Sequence, residues 1–210
     1  MIRQSEAIVL STQKFRETSL IVKLYTRAHG LESLIAKGVR TKSKRQRAIY
    51  LQPSALLDVV YYVKKGRDLQ NLTDYTPAQH YQRCWQQPQR MLYALLGVEV
   101  FAGAVREVEA NPELYQLLRN YLVAIDAESA QLFDQLLRFL LALCDAAGIL
   151  PQIDSTRPNL PKVLLMEEGR IEDSPSQLTT GAGGHLYHYL TGQPHTVARA
   201  EREQLIQTLL

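Results

Sequence analysis

The sequence contains few cysteines and no long uninterrupted hydrophobic run. Two cysteines, Cys84 and Cys144, are too few for a disulfide framework or a four-thiolate zinc site, and they favour buried thiols in a reducing compartment. The most apolar stretch, 132–150, is interrupted by three charged residues and is not expected to span a bilayer. The N-terminus lacks a continuous apolar segment and predicts a strand, not a signal peptide. We therefore expect a cytoplasmic protein.

Patterns that would carry catalysis are also lacking. The histidines are scattered, and none lies at motif spacing from a cysteine or a carboxylate. His185 and His188 are three residues apart, but no further ligand type lies close in the sequence. The glycine-rich run 181–184 has neither the preceding strand nor the following Lys-Ser pair of a phosphate loop. We predict that the protein is not an enzyme and needs no cofactor.

Carboxylates are missing from one basic segment of the chain. Between residues 37 and 47 the sequence has six cations and no acid: Lys37, Arg40, Lys42, Lys44, Arg45 and Arg47. Residues 1–75 have 14 Lys+Arg and 6 Asp+Glu, a balance of +8, whereas residues 76–210 have 10 and 15, a balance of −5. This asymmetry indicates a polyanion-binding module, with nucleic acid as the commonest partner, although a solvated surface loop would have the same pattern.

The first 75 residues have the periodicity of a sheet. Five strands are predicted: Ala7–Leu10, Thr18–Arg27, Leu31–Val39, Ala55–Val63 and Asp68–Thr73. The connection from 40 to 53 is predicted to be polar and irregular. Five short strands without a long intervening helix favour an OB-fold barrel, and an SH3-like barrel is the alternative.

From about residue 79 the periodicity becomes helical. Three long helices are predicted over Met91–Val108, from Asn111 to Ala124, and from Ser129 to about Gly148, followed by a last one over 196–210. Residues 151–195 are rich in proline and glycine, and only Val163–Met166 and a helical turn at 185–190 are predicted there. The fold class is therefore α+β, with an OB-fold domain over 1–78 and a mainly helical domain, packed as a bundle, over 79–210.

Two further features of the barrel favour nucleic acid. Alternation in the second strand places Lys23, Tyr25 and Arg27 on one face, which predicts a platform for stacking bases or, alternatively, an ordinary polar face. The turn between the fourth and fifth strands contains Lys64, Lys65 and Arg67, and OB-folds commonly use this loop to bind oligonucleotides.

Several short segments of the first domain occur in an order that is typical of one protein family. They are Ala7–Leu10, Glu17–Leu20, Tyr25-Thr26 before Gly30-Leu31, Ala36–Arg40, Lys42–Lys44 and Leu51–Pro53. In this order the segments resemble the N-terminal domain of the RecO family of bacterial recombination mediators, and the helices resemble that family more faintly. The resemblance implies an OB-fold followed by helices, and a role without a chemical step.

The same resemblance implies binding of single- and double-stranded DNA, annealing of complementary strands, and help in loading RecA onto DNA coated by the single-stranded-DNA-binding protein. It implies RecR and the acidic tail of the coating protein as partners, no membrane, and a nucleoid-associated location. By position, Lys37, Arg40, Lys42 and Lys44 are the implied DNA contacts, and Lys42–Arg47 is predicted to be a mobile arm. An adaptor for RNA or an acidic protein is the alternative function.

One chemical feature departs from that family. Many RecO proteins carry a four-cysteine zinc site after the long apolar helix, whereas this chain has no cysteine in the corresponding segment, Ile153–Pro158. Structural zinc sites depend on thiolate ligands, so no zinc is expected.

Overall fold

The computed structural model describes residues 1–41, 45–105 and 110–149, and the backbone of three short strands between 152 and 173. Two compact units divide the chain, Met1–Leu136 and Leu137–Leu210. Within the described ranges, none of the helices has the length and apolar character needed to cross a membrane. The predicted domain boundary between 78 and 79 stays a prediction.

Five strands in the first unit form a closed barrel. They are β1 (Ile2–Phe15), β2 (Ser19–Thr26), β3 (Gly30–Ala36), β4 (Leu56–Tyr62) and β5 (Leu69–Gln79). Their order around the barrel is β1-β2-β3-β5-β4, with every pair antiparallel except β3–β5. This is the predicted OB-fold, so the SH3-like alternative is wrong.

The strands differ in length from the prediction for local reasons. β1 has 14 residues because a bulge between Val9 and Ser11 lets its first half pair with β4 and its second half with β2. The polar residues of both halves hid this length in the sequence. β5 is also longer than predicted and runs on to Gln79. β3 is shorter, because Gly38 adopts a φ of 68° and turns the chain after Ala36.

The barrel interior is an apolar core to which every strand contributes residues. Its members are Ala7, Val9, Leu20, Val22, Leu24, Leu34, Ala36, Val39, Leu51, Leu57, Val59, Tyr61 and Tyr75. At one end of the barrel, an Arg3 guanidinium lies 2.9 Å from a Glu32 carboxylate oxygen, which also accepts a hydrogen bond of 3.2 Å from the Tyr61 hydroxyl. These contacts link three polar side chains at this end of the barrel.

A short helical connection covers the side of the core near the middle of β1. Helix α1 (Arg45–Ala48) leads into a turn of 3₁₀ helix, Ile49–Leu51, where an irregular connection was predicted. Leu51 is fully buried, and its carbonyl accepts a hydrogen bond from the Thr12 hydroxyl of β1. Burial of this one leucine accounts for a helical turn in an otherwise polar segment.

Four helices follow the barrel: α2 (Gln82–Gln86), α3 (Pro88–Ala104), α4 (Pro112–Asp126) and α5 (Leu132–Ala146). The predicted start of α4 is confirmed, because the Asn111 side chain accepts 3.1 Å hydrogen bonds from the backbone of Glu113 and Leu114. α3 begins three residues before the prediction, and α5 begins at Leu132 instead of following Ser129 directly.

The second unit also contains a three-stranded sheet in the order β6-β8-β7. Its strands are β6 (Gln152–Ile153), β7 (Lys162–Leu165) and β8 (Arg170–Asp173). β7 corresponds to the predicted strand Val163–Met166, shifted by one residue. The helical segments predicted at 185–190 and 196–210 lie outside the described residues.

Buried polar contacts fix α3 and α4 to each other and to the barrel. The Arg90 guanidinium of α3 donates to the carbonyl oxygens of Ile125 and Ala127 at 2.6 and 2.7 Å. These carbonyl groups lie at the C-terminal end of α4, where the helix itself provides no hydrogen-bond donor for them. The Tyr115 hydroxyl of α4 donates a 2.6 Å hydrogen bond to the Glu6 carboxylate of β1. A strand of the barrel and two helices thus share one polar framework.

Close packing of α3 on α4 gives a test of this framework. A Cβ at Gly97 would overlap the ring of Tyr121, whereas a Cβ at Gly103 would meet no atom within 4 Å. Gly97→Ala should lower the free energy of unfolding by about 1–3 kcal/mol through overpacking. Gly103→Ala should leave it unchanged or raise it by up to about 1 kcal/mol. Urea unfolding of both variants measures this, and equal effects would contradict the packing described.

Candidate nucleic-acid interface

The outer face of β2 and β3 carries two rows of side chains that run across four strands. Register places Gln13, Ile21, Ile35 and Asn71 in one row. Ser11, Lys23, Ser33 and Leu69 form the next row. All eight side chains are at least partly exposed, although their neighbours in sequence point into the core. We call this surface the β2–β3 face; it is where OB-folds bind oligonucleotides.

The helices cover the adjoining part of the same barrel wall. Tyr25 lies one pleat beyond Lys23, is fully buried, and packs edge-on against Phe101 of α3 at 5.0 Å between ring centroids. The prediction that Tyr25 forms an exposed stacking platform with Lys23 and Arg27 is therefore wrong. Alternation along β2 was interpreted correctly, but the sequence did not show which outward residues the helices cover.

A different aromatic residue lies on the exposed part of this wall. Phe15 pairs with Ser19 and, by alternation, shares the outward side of β1 with Gln13. It is half-buried, and the Arg16 guanidinium lies 5.3 Å from the centre of its ring. The sequence reasoning missed both residues, because the bulge in β1 that extends the strand this far has no clear sequence signal.

Four cations collect at the end of the barrel where β1, β2 and β3 meet. Lys14 and Arg16 lie at the end of β1, and Lys37 and Arg40 follow β3. The Arg40 guanidinium donates a 3.3 Å hydrogen bond to the Arg16 carbonyl, and the Arg40 backbone donates to the Thr18 carbonyl at 3.0 Å. The backbones of β1 and β3 lie on either side of β2, two strand spacings or about 10 Å apart, so both strands deliver cations to the same end of the barrel. Glu17 is the acid that adjoins them in sequence.

A second basic group borders the other side of the β2–β3 face. Lys64, Lys65 and Arg67 are exposed in the β4–β5 turn, where Gly66 has a φ of 78°. The buried Gln70 side chain holds this turn by accepting from the Lys64 backbone at 2.8 Å and donating to the Arg67 carbonyl at 2.5 Å. The turn leads directly into Leu69, which pairs with Ser33 in the row that contains Lys23. The predicted cations of this turn therefore flank the face.

The distal part of the basic segment differs from the prediction. Arg47 belongs to α1; its guanidinium donates to the Asp74 carboxylate at 2.6 Å and to the Tyr75 carbonyl at 2.8 Å, and lies 4.8 Å from the centre of the Tyr75 ring. The prediction of a mobile arm is thus wrong at Arg47. Lys42 and Lys44, and the side chain of Arg45, lie outside the described residues.

The remaining predicted cation, Arg27, lies apart from these groups. It is exposed in the β2–β3 turn, and its backbone donates a 2.9 Å hydrogen bond to the Glu6 carbonyl. Glu6 is covered by α4 through Tyr115, so Arg27 borders the helix-covered part of the wall. The structure therefore groups Lys23 with Lys37 and Arg40, and separates Arg27 from them.

Two buried groups of the first unit, one in α2 and one in the barrel, have strongly raised pKa values. Burial raises the pKa of the Cys84 thiol to about 12, with the Asp126 carboxylate adding to the effect. Burial also raises the pKa of Tyr61 to about 12, helped by the charge of Glu32. Neither group would ionise near neutral pH, so neither is an activated nucleophile or base. The absence of zinc stays a prediction.

Comparison with known proteins adds a family relationship to this geometry. A family model described as recombination protein O, N terminal, matches residues 1–81. The model for the C terminal of recombination protein O matches residues 86–156. Together the two matches account for more than half of the chain.

Curated relatives agree with the family models. A DNA repair protein RecO from Salinibacter ruber is 30% identical over 156 residues, which cover 74% of this chain and 60% of that protein. One from Myxococcus xanthus is 34% identical over 151 residues, covering 71% and 60%. One from Chlorobium phaeobacteroides is 28% identical over 174 residues, covering 82% and 66%. The alignments thus span about 60% of the length of the first two relatives.

The Arg47–Asp74 contact predicts a pH dependence. The hydrogen bond from Arg47 holds the pKa of the Asp74 carboxyl below its ordinary value of 3.8. A lowered folded-state pKa contributes stability that is present above the unfolded-state pKa and is lost as pH falls through the folded-state pKa. Arg47→Gln should therefore raise the Asp74 pKa and lower stability near neutral pH more than at pH 2.

Carboxyl titration followed by NMR measures this shift, and acid-range unfolding measures its effect on stability. Arg83→Gln is the matched control, because Arg83 pairs with Glu128 at 3.4 Å and lies away from Asp74. An Asp74 pKa that does not move in Arg47→Gln would show that the contact is not formed in solution.

Proposed function

The chain belongs to the RecO family, and from that premise we propose that it binds single- and double-stranded DNA through the β2–β3 face in DNA repair and recombination. One observation supports this most: two groups of cations flank a partly exposed strip that contains Phe15, Ile21 and Ile35. Cations would neutralise phosphates, and the apolar strip would contact bases.

The distribution of charge favours a backbone contact with a strand that runs along this face. Lys14, Arg16, Lys37 and Arg40 lie at one border, Lys64, Lys65 and Arg67 at the other, and Lys23 lies between them. A strand crossing the face would meet positive charge along its length. Such contacts are insensitive to sequence, as a mediator acting on any damaged DNA requires.

We infer that annealing follows from the same arrangement. Complementary strands repel each other through their phosphates, and cations on one protein surface reduce that repulsion. Bases held by stacking on Phe15, without hydrogen bonds to their pairing edges, would stay available to a second strand. No step in this mechanism makes or breaks a covalent bond.

We also propose the partners that the family relationship implies. RecR and the acidic tail of the single-stranded-DNA-binding protein would bind outside the β2–β3 face, leaving the face for DNA. Recruitment to coated DNA would then bring RecA loading to the site of annealing. Support for these partners comes from the family and not from a described contact.

Salt dependence tests the phosphate contacts. Each contact with a single strand contributes about −0.7 to the slope of log K against log salt. The double variant Lys37→Gln/Arg40→Gln should make that slope shallower by about 1.4 and weaken binding. Arg47→Gln, which removes a cation engaged by Asp74, should leave the slope close to that of the unmodified protein. Fluorescence anisotropy of a labelled oligonucleotide, titrated at salt concentrations from about 50 to about 200 mM, measures the slopes of both variants.

A change of slope in Arg47→Gln that is half of the change in the double variant, one charge removed against two, would mean that non-specific net charge, and not the β2–β3 face, governs binding. RNA of the same sequence, measured in parallel, separates DNA repair from an adaptor role, since tighter binding of RNA would favour the latter.

Annealing provides a second, functional test. Reversing Lys37 and Arg40 to glutamate should slow the annealing of complementary strands at least tenfold, because the change adds repulsion where phosphates are expected. Reversing Arg27, on the helix-covered side, serves as the control and should have a much smaller effect. Annealing at the unmodified rate after reversal of Lys37 and Arg40 would contradict the proposed mechanism.

A further inference from the structure

A second surface feature of the first unit is an apolar groove away from the β2–β3 face. It lies between the 3₁₀ turn, the paired ends of β4 and β5, and α2, and its volume is about 260 Å³. Ile49, Tyr50, Leu56, Pro77, His80 and Trp85 are among the residues that line it. The groove is smaller than the pockets of roughly 300–1,000 Å³ that hold drug-sized ligands, so it suits a single planar group.

Large apolar side chains remain exposed along this groove. Trp85 and Ile49 are each 50% exposed, and both line this groove, so they form part of one apolar patch. Tyr50 and His80 form an edge-on pair with ring centroids 6.1 Å apart. Of the four aromatic rings that line the groove, those of Tyr50, His80 and Trp85 are at least partly exposed, which is the composition expected of a site that stacks a ring.

The polar side chains of the groove are three glutamines, two tyrosines and His80. Gln79, Gln82 and Gln86 line it, and none of its described lining residues has a carboxylate, ammonium or guanidinium group. Amides can donate to and accept from the edge of a base, whereas a peptide carboxylate or a phosphate would find no opposite charge here. The lining therefore matches an uncharged aromatic ring better than an ionic group.

The groove is also linked to the basic part of the barrel, by chain connectivity and by one hydrogen bond to β1. The chain passes from Lys37 and Arg40 through α1 to Ile49, which lines the groove. The next turn is fixed to β1 by the hydrogen bond from Thr12 to the Leu51 carbonyl, two residues before Lys14. The turn that lines the groove is thus fixed to the strand that carries Lys14.

We propose that this groove binds an unpaired base of single-stranded DNA, with Trp85 as the stacking residue and the glutamine amides at the base edge. The site extends the interface of the proposed function, on which this inference rests. The β2–β3 face would contact the phosphates, and one base of the same strand would occupy the groove, where it cannot pair with a complementary base. Because only an unpaired base can enter the groove, the protein would bind single-stranded DNA more tightly than duplex DNA.

Trp85 provides a direct readout, because it is the one tryptophan of the chain. Single-stranded oligothymidine should quench its fluorescence and protect it from acrylamide. An oligonucleotide of the same length with abasic residues has the same phosphates, so it should bind the cations with much less quenching. Both titrations use the full chain, with dye-labelled DNA to follow binding independently.

Substitution separates stacking from charge. Trp85→Leu should weaken binding of oligothymidine by about tenfold and leave the salt slope unchanged, since an aromatic contact is lost and no phosphate contact is. Leu92→Ala is the control, because Leu92 is 67% exposed on α3 and lines neither surface. It should bind as the unmodified protein does.

The outcomes distinguish this inference from the proposed function. Salt-dependent binding with no change at Trp85, or equal quenching by abasic DNA, would overturn the base site and leave the DNA-binding face intact. Quenching by an uncharged apolar peptide but not by DNA would assign the groove to a protein partner instead. Failure of every variant and of the unmodified protein to bind DNA would overturn the proposed function itself.

Discussion

Closure of the five-stranded barrel is the constraint on which the other features depend. Once β3 pairs with β5 and β4 pairs with β1, each strand must present one side to the core and the other outward. Val22 and Leu24 fill the core, so Lys23 and Tyr25 must point away from it. A register slip of one residue would bury Lys23 and expose the core. The β2–β3 face therefore exists because the interior is apolar, not because a ligand shapes it.

The helices then divide the outer wall into a covered and an open part. Tyr25 packs under Phe101, and Glu6 binds Tyr115, so α3 and α4 occupy the wall on that side. What stays open is bordered by cations in the β1–β2 turn, after β3, and in the β4–β5 turn. The fold therefore selects which cations of the basic segment lie beside the open part of the wall. Arg47, which the sequence pattern grouped with Lys37, pairs with Asp74 of β5 instead.

Sequence reasoning predicted the barrel and the Asn111 cap correctly, because both depend on local signals such as alternation and capping chemistry. It failed where tertiary contacts decide. Burial of Tyr25 depends on α3, the pairing of Arg47 depends on β5, and the position of Phe15 depends on a bulge that lets β1 run to 14 residues. The groove at Trp85 joins residues from 49–57 with residues from 77–86, which no local pattern brings together.

The central claim is that DNA lies along the open half of the barrel wall. Backbone amide shifts measured by NMR during titration with single-stranded DNA test it most directly. The account predicts the largest changes at Phe15, Ile21, Lys23 and Lys37, with smaller ones at Leu92, which is exposed on α3 and lines neither the β2–β3 face nor the groove. Changes concentrated around Leu92, with Phe15 and Lys37 unaffected, would contradict it.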